Sequence, residues 1–289
     1  MRKIRWFLVV CFGLFVFLPC TVASLFQRDV SFLLQRTNSA EKYLPAILYK
    51  SIDSEMHTET LKAQAVLVRS NLIKALEENQ VTYKELQEEY SLIEETMDVE
   101  NLSIYENLVW ICQETEGEVV KYNSKVCFCP FFYSSNGTTR EAFSFFEDGS
   151  YPYLVAVPSH RDEESSSYIT YHHFTMEEFQ QKMNELSGNT FQNQIDILEK
   201  DQSEYITWLK VGEKIVGGEV FRNKLGLSSA SFSIEQEEEG IRISCKGRGH
   251  GFGFSQYGAN AMAMDGKGYK ELIDYYFHNI TIENVYRFL

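Results

Sequence analysis

Apolar residues recur at helical spacing in the stretch from Thr58 to Leu76. Their separations are four, three and four residues, so they lie on one face of a predicted helix. The stripe consists of Leu61, Ala65, Val68 and Leu72. A second helix is predicted after Thr82, because Thr82 and Glu85 form a capping-box pattern ahead of a further apolar stripe.

From Asn107 onward the pattern changes to short apolar runs separated by turn residues. Residues 108–135 predict three strands of a meander, with turns at Glu116-Gly117 and Asn123-Ser124. Further strands are predicted at 152–159, 204–215, 240–249 and 280–288, and further helices at Thr175–Leu186 and Tyr269–Phe277. This order of elements predicts a mixed α+β fold.

The N-terminus has the pattern of a membrane anchor. Trp6–Phe26 is a stretch of 21 residues without charge, and it follows a basic N-terminal flank. A helix of that length crosses a hydrocarbon core of about 30 Å, with its positive flank in the cytoplasm and the rest of the chain outside. Cleavage near Ser24 and secretion is the alternative. The sequence thus divides into an anchor or signal peptide (1–26), a spacer (27–44) and one large domain (45–289).

Charge and cysteine content restrict the partners and the chemistry. The formal net charge of the 289 residues is −14 at pH 7, which excludes nucleic acid as the main partner because a phosphate backbone attracts basic surfaces. Cys127 and Cys129 are two residues apart and would point the same way on a strand, so they are poorly placed to pair with each other. Free cysteines packed as small apolar residues are expected, and a disulfide to Cys112 or Cys245 stays open.

Near the C-terminus, glycine occupies every second position of Gly247–Gly253, with a single histidine among them. An extended backbone there would place Arg248, His250, Phe252 and Phe254 on one face, with His250 pointing outward. Bare glycine backbone permits the close approach of another chain or a ligand, or a tight packing corner. Ser255 is expected to cap a following helix, which Asp265-Gly266 would end.

The segment "GRGHGFGFSQYGANAMA" resembles the signature of the stage II sporulation protein D (SpoIID/LytB) family, G-x-G-H-G-x-G-x-S-Q-Y-G-A. Other segments resemble family motifs in the same order: Leu61–Arg69 ("LKAQAVLVR"), 114–141, 151–162 and 266–282. The resemblance implies a membrane-anchored lytic transglycosylase that cuts peptidoglycan glycan strands during engulfment of the forespore. It also implies membrane partners and a sporulation cell-wall amidase, which removes the stem peptides beforehand.

This chemistry needs a single carboxyl group. The acid protonates the glycosidic oxygen, and the resulting carboxylate takes the proton from the sugar's own 6-hydroxyl as the anhydro ring closes. In the family, the glutamate lies eleven residues before the lysine of the A-L-K-A-Q motif, and that position here is Ser51. With four residues deleted from the comparison, Glu55 takes the place of the acid, and a continuous helix would put it on one face with Lys62 and Arg69.

Two hypotheses therefore stay open. The first is an active transglycosylase that uses Glu55, with Glu59 or Asp53 as alternative acids. The second is a glycan-binding or scaffold protein that has lost the acid. The resemblance further implies that seven residues bind the glycan: Lys62, Gln64, Arg69, His250, Ser255, Gln256 and Tyr257. No cofactor is expected; zinc is possible only if Cys127, Cys129, His172 and His173 meet.

Overall fold

The computed structural model describes residues 40–90, 93, 99–143, 149–188 and 194–285. The helices of this part are α1 Leu44–Ser51, α2 Thr58–Glu77, α3 Tyr83–Tyr90, α4 Val99–Glu114, α5 Met176–Ser187, α6 Gly218–Leu225, α7 Gln256–Met264 and α8 Tyr269–Tyr276. A 3-10 helix spans His160–Glu164. The strands are β1 Glu118–Tyr122, β2 Lys125–Val126, β3 Phe131–Phe132, β4 Ile169–Thr175, β5 Ile195–Lys200, β6 Ile206–Val211, β7 Lys214–Gly217, β8 Phe232–Glu237, β9 Gly240–Lys246, β10 Phe254–Ser255 and β11 Thr281–Asn284.

Helices and mainly antiparallel sheets build the fold, which confirms the α+β prediction. Three antiparallel sheets have the strand orders β11-β1-β2, β4-β9-β8 and β5-β6-β7. The pair β3 and β10 is parallel, with Phe131 opposite Phe254 and Phe132 opposite Ser255. This pair joins the middle of the chain to the glycine-rich segment, because β10 directly follows that segment.

The long helix α2 has the predicted apolar stripe and is buried over most of its length. Thirteen of its 20 residues are buried, including Leu61, Ala65, Val68 and Leu72. Its N-terminus is capped by His57, whose ring nitrogen accepts a hydrogen bond from the backbone N–H of Glu59 at 3.2 Å. The core around α2 is formed by α1, α4, α7, α8 and β1. A second core lies between α5, α6 and the sheets that contain β6 and β9.

The prediction of a strand at the start of the meander is wrong, because residues 99–114 form the helix α4. Leu108, Ile111 and Cys112 are buried in the core with α1 and α2, and their spacing of three and one fits one helical face. The contiguous apolar residues "LVWIC" resemble a short buried strand, because periodicity over so few residues does not distinguish a strand from a buried helix segment. The hairpin β1–β2 is confirmed, and Asn123 and Ser124 at its turn have positive φ values of 49° and 64°.

Two further strand predictions need correction. Residues 152–159 form no strand: Tyr153 and Leu154 are buried in a turn, and only Pro158 makes an isolated bridge, to Thr138. The third strand of the meander exists as β3, but it pairs with β10 far along the chain instead of with β2. Both errors concern long-range partners, which local sequence patterns do not specify.

The predicted anchor (1–26) and residues 27–39 of the predicted spacer (27–44) lie outside the described residues. Among the residues that the structure describes, no helix is both long enough and apolar enough to cross a membrane. The four described cysteines are free and buried, in agreement with the prediction. Burial raises the pKa of the Cys112 thiol to about 12, so it packs as a neutral group.

Candidate functional site

The glycine-rich segment is a compact corner, which was one of the two alternatives, and the extended strand is absent from it. Gly247, Gly249, Gly251 and Gly253 all have positive φ, between 74° and 123°. The close approach expected at these glycines is confirmed: a Cβ on Gly251 would lie 2.8 Å from the ring carbon Cζ of Tyr205, and one on Gly253 would overlap the carbonyl oxygen of Pro130. Regular strand pairing begins only at Phe254.

His250 is packed between two aromatic rings and does not point outward as predicted. Its ring centroid lies 5.6 Å from that of Phe132 and 5.8 Å from that of Phe252. Its Nδ1 accepts a hydrogen bond from the backbone N–H of Phe252 at 3.1 Å. Burial, with smaller contributions from the charges of Arg222 and Arg140, lowers the pKa of His250 to about 4. His250 is therefore neutral near neutral pH and stabilises the corner.

Ser255 begins the helix α7, as predicted, and it also binds a buried carboxylate that the sequence did not reveal. Its Oγ accepts from the backbone N–H of Gly258 at 3.3 Å and donates to Asp162 Oδ1 at 2.7 Å. The second oxygen of Asp162 accepts from the backbone N–H and the hydroxyl of Ser135, at 2.7 and 2.6 Å. Burial raises the pKa of Asp162, and these hydrogen bonds oppose that shift. Asp162 lies in the segment 151–162, and nothing in its local pattern marked it.

Gln256 connects the signature to the end of helix α1. Its side-chain amide Nε2 donates to the backbone carbonyl of Ser51 at 2.7 Å. Gln256 is 6% exposed, and Ser51 is the last residue of α1. The ungapped position of the family's acid thus lies against the signature in three dimensions, although the two residues are 205 positions apart. Asn260 makes a similar link, since its Oδ1 accepts from the backbone N–H of His57 at 2.7 Å and from Thr60 Oγ1 at 3.2 Å.

The three candidate acids differ in what holds their carboxylates. Asp53 Oδ1 accepts from the backbone N–H of Glu55 at 3.0 Å, which closes the turn between α1 and α2. Glu59 accepts from the backbone N–H of Tyr269 at 2.8 Å and lies 3.6 Å from Lys62 Nζ. Glu55 is exposed, and within the described residues its carboxylate makes neither a hydrogen bond nor an ion pair. Helix α2 begins only at Thr58, so the helical face shared by Glu55, Lys62 and Arg69 does not exist.

Three residues of α2 that were predicted to bind the glycan are buried or paired with other groups of the protein. The Arg69 side chain is 2% exposed, and its guanidinium forms a two-pronged ion pair with Glu41 at 2.6 and 3.1 Å. It donates further to the backbone carbonyls of Cys112 and Glu118, so it connects α2 to α4 and β1 and does not face a groove. Gln64 is fully buried. Lys62 lies between Glu59 and Glu114, with its ammonium 5.4 Å from the ring centroid of Trp110.

Beside Gln256, two tyrosines and an arginine form a partly exposed surface. Tyr257 is half-buried, and its ring centroid lies 6.1 Å from that of Tyr133. The backbone N–H of Tyr257 donates to the Tyr133 carbonyl at 2.9 Å. The exposed Arg248 places its guanidinium carbon 5.5 Å from the Tyr133 ring centroid. We call Tyr133, Tyr257 and Arg248 the tyrosine–arginine surface.

Neither the predicted metal ligands nor a cleft over the β4-β9-β8 sheet adds to the signature site. In the described part of the chain, no three His, Cys, Asp or Glu side chains are grouped as metal ligands, and His172 contacts Ser228 Oγ at 3.2 Å. A cleft of about 600 Å³ lies over the exposed face of β4, β9 and β8. It is lined by Asn136, Ile169, Tyr171, Gln202, Ser244 and Lys246, among others.

Comparisons with known proteins identify the family to which the chain belongs. The family model described as SpoIID, Stage II sporulation protein, matches residues 31–122. The Stage II sporulation protein D of Bacillus amyloliquefaciens is 30% identical over 268 residues, which cover 86% of this chain and 75% of the relative. The protein of the same name from Bacillus subtilis (strain 168) is 28% identical over 268 residues, 86% and 76% of the two chains. The chain belongs to the SpoIID family.

Proposed function

We propose that this protein acts on peptide-stripped glycan strands of peptidoglycan as a lytic transglycosylase, at the surface where the end of α1 meets the signature segment. The observation that carries the proposal is the 2.7 Å hydrogen bond from Gln256 to the Ser51 carbonyl. It brings the family's acid position and the family's signature into one site. The half-buried Tyr133 and Tyr257 beside it offer flat rings of the kind on which sugar rings pack.

Glu55 is the acid that the geometry favours. Asp53 and Glu59 are the alternative acids, and both accept hydrogen bonds from backbone N–H groups. Glu55 lies on the turn that follows Ser51, and its carboxylate is not engaged by any described residue. It is exposed in the free protein, so a bound glycan strand would have to cover it and favour its protonated form before it could donate a proton.

The decisive experiment is digestion of peptide-stripped glycan strands, with the products read by mass for anhydro ends. Glu55→Gln should lower anhydro-product formation by about 100-fold or more while strand binding is retained, because the amide keeps the shape and loses the proton. Glu213→Gln is the matched control, since Glu213 is an exposed carboxylate on the β6–β7 turn. An active wild type whose Glu55→Gln variant is equally active would defeat the assignment and direct attention to Asp53 and Glu59.

A second candidate function is glycan binding without cleavage. It is favoured by the fact that Ser51 itself occupies the place beside Gln256, and a serine hydroxyl does not ionise usefully near neutral pH. In that case wild type forms no anhydro ends, Glu55→Gln changes nothing, and strands still bind. Ser51→Glu would then be the variant that restores cleavage.

We extend the proposal to the location and the biological setting of the protein. The uncharged stretch 6–26 supports anchorage in the cell membrane with the domain from residue 45 outside the cytoplasm. Full-length protein should then fractionate with membranes; a secreted form that begins near Ser24 would show cleavage instead. The names of the two Bacillus relatives support a role in sporulation. A cell-wall amidase that strips the strands is proposed as partner on the resemblance of the sequence motifs alone. Production of the protein outside any sporulation stage would contradict that role.

A further inference from the structure

Arg248 is the exposed cation of the glycine-rich corner, and its backbone is held firmly. The backbone N–H of Arg248 donates to the Ser134 carbonyl at 2.7 Å, and the N–H of Ser134 donates back to the Arg248 carbonyl at 3.1 Å. This pair of bonds forms an isolated antiparallel bridge between the two residues. The starting point of the arginine side chain is therefore fixed relative to Tyr133, the neighbour of Ser134.

No carboxylate of the described residues pairs with the charge of Arg248. The other arginines in the described part of the chain each form an ion pair with a carboxylate: Arg69, Arg140, Arg161, Arg222 and Arg242. Within the same described residues, the guanidinium of Arg248 makes no ion pair and no hydrogen bond. In a chain with a net charge of −14, Arg248 therefore presents an exposed guanidinium 5.5 Å from the centroid of the Tyr133 ring. It has the geometry to receive a carboxylate from a ligand through a two-pronged contact.

The chemistry of a stripped glycan strand supplies such a carboxylate. While the stem peptide is attached, the lactyl group of each muramic acid ends in a neutral amide. Hydrolysis of that amide leaves one lactyl carboxylate on every second sugar of the strand. A cation beside a sugar-packing ring can therefore distinguish stripped strands from peptide-bearing ones by charge as well as by size.

We propose that Arg248 binds the free lactyl carboxylate of muramic acid while the sugar packs on Tyr133 and Tyr257, and that this contact selects peptide-stripped strands. The inference rests on the proposed function, because it names the substrate feature that the same site recognises. Tyr257 directly follows Gln256, whose side chain binds the Ser51 carbonyl, so the contact lies next to the proposed site.

The test measures binding of the full chain to three preparations of the same strands: peptide-bearing, peptide-stripped, and peptide-stripped with the lactyl carboxylates converted to neutral amides. Wild type should bind the stripped strands about tenfold or more tightly than the amidated ones. Arg248→Gln should reduce that ratio to about twofold or less, and Arg248→Lys should give an intermediate value because a point charge replaces the planar fork. Lys214→Gln is the matched control, because Lys214 is an exposed cation on the distant β6–β7 hairpin.

The outcomes separate the inference from the function on which it rests. Equal affinity of wild type for stripped and amidated strands overturns the role of Arg248 and leaves glycan binding intact. Preference for peptide-bearing strands also overturns it, because the carboxylate would then belong to the stem peptide. No binding of any strand by wild type overturns the proposed function itself. Melting curves of the variants establish that each is folded, as expected for changes at exposed side chains.

Discussion

Ser255 donates its hydroxyl to the buried carboxylate of Asp162 at 2.7 Å, across 93 positions of the chain. Through this bond the signature segment is attached to the 3-10 helix His160–Glu164 and, by the other oxygen of Asp162, to Ser135. The family signature therefore has a structural role as well: Ser255 both caps helix α7 and forms a hydrogen bond with the buried carboxylate of Asp162.

We expect the loss of the Ser255–Asp162 hydrogen bond to destabilise the protein. Ser255→Ala should lower the free energy of unfolding by about 1–3 kcal/mol, because a helix cap and a charged hydrogen bond are lost together. Asp162→Ala should cost about 2–4 kcal/mol, since the donors on Ser135 and Ser255 lose their acceptor. Urea denaturation of both variants and of the double variant measures the coupling, which should be about 1 kcal/mol or more. Ser233→Ala, at an exposed position of β8, is the control. Strictly additive losses of stability at Ser255 and Asp162 would contradict an interaction between the two side chains.

His250 should make stability depend on pH in a defined window. Its pKa is lowered to about 4 in the folded protein from an ordinary value of 6.5. As pH falls below about 6.5, His250 is protonated in the unfolded chain but stays neutral in the folded protein. The free energy of unfolding therefore decreases until about pH 4, by up to about 2–3 kcal/mol. Denaturation between pH 7 and pH 4 should show a steeper loss for wild type than for His250→Gln, which cannot titrate. Parallel curves for the two proteins would disprove a buried neutral histidine.

Alanine substitutions at two glycines separate the energetic cost of close packing at the glycine corner from the cost of a positive φ. Gly253 and Gly266 have similar φ values, 75° and 91°. A Cβ at Gly253 would overlap the Pro130 carbonyl, whereas at Gly266 it would meet nothing within 4 Å. Gly266→Ala should therefore cost about 1 kcal/mol from φ alone, and Gly253→Ala about 2 kcal/mol more. Thermal melting of the two variants decides the matter, and equal shifts would show that the corner tolerates a side chain.

Substitution of Gln64 is expected to stabilise the protein, in contrast to the substitutions above. It is 0% exposed, and neither its amide nitrogen nor its amide oxygen has a hydrogen-bond partner among the described residues. Gln64→Met keeps the volume and removes the buried amide, so it should raise the free energy of unfolding by about 1–2 kcal/mol. Urea denaturation measures the change, with Gln113→Met on the exposed side of α4 as the control. A destabilised Gln64→Met variant would show that the amide is hydrogen-bonded in solution.

Local patterns in the sequence were enough to predict the elements whose information is contained within a few residues. The stripe of α2, the Ser255 cap, the capping box of Thr82 with Glu85, and the Asn123-Ser124 turn all appear as predicted. Each depends on contacts between near neighbours in the chain, so the residue types and their spacing suffice. The ordered motifs also indicated the SpoIID family, because a resemblance of sequence does not depend on where the residues meet in space.

Tertiary structure alone decided the surroundings of the functional residues. Arg69 was expected in a glycan groove but is buried on Glu41, and His250 was expected to face outward but lies between two phenylalanines. Ser51 meets Gln256, and Ser255 meets Asp162, only because the chain folds back over about two hundred and about ninety positions. Burial and pairing at such distances come from the packing of whole elements, which no local spacing specifies. The sequence determined the family and the local elements, and the packing decided which of the polar residues remain available to a ligand.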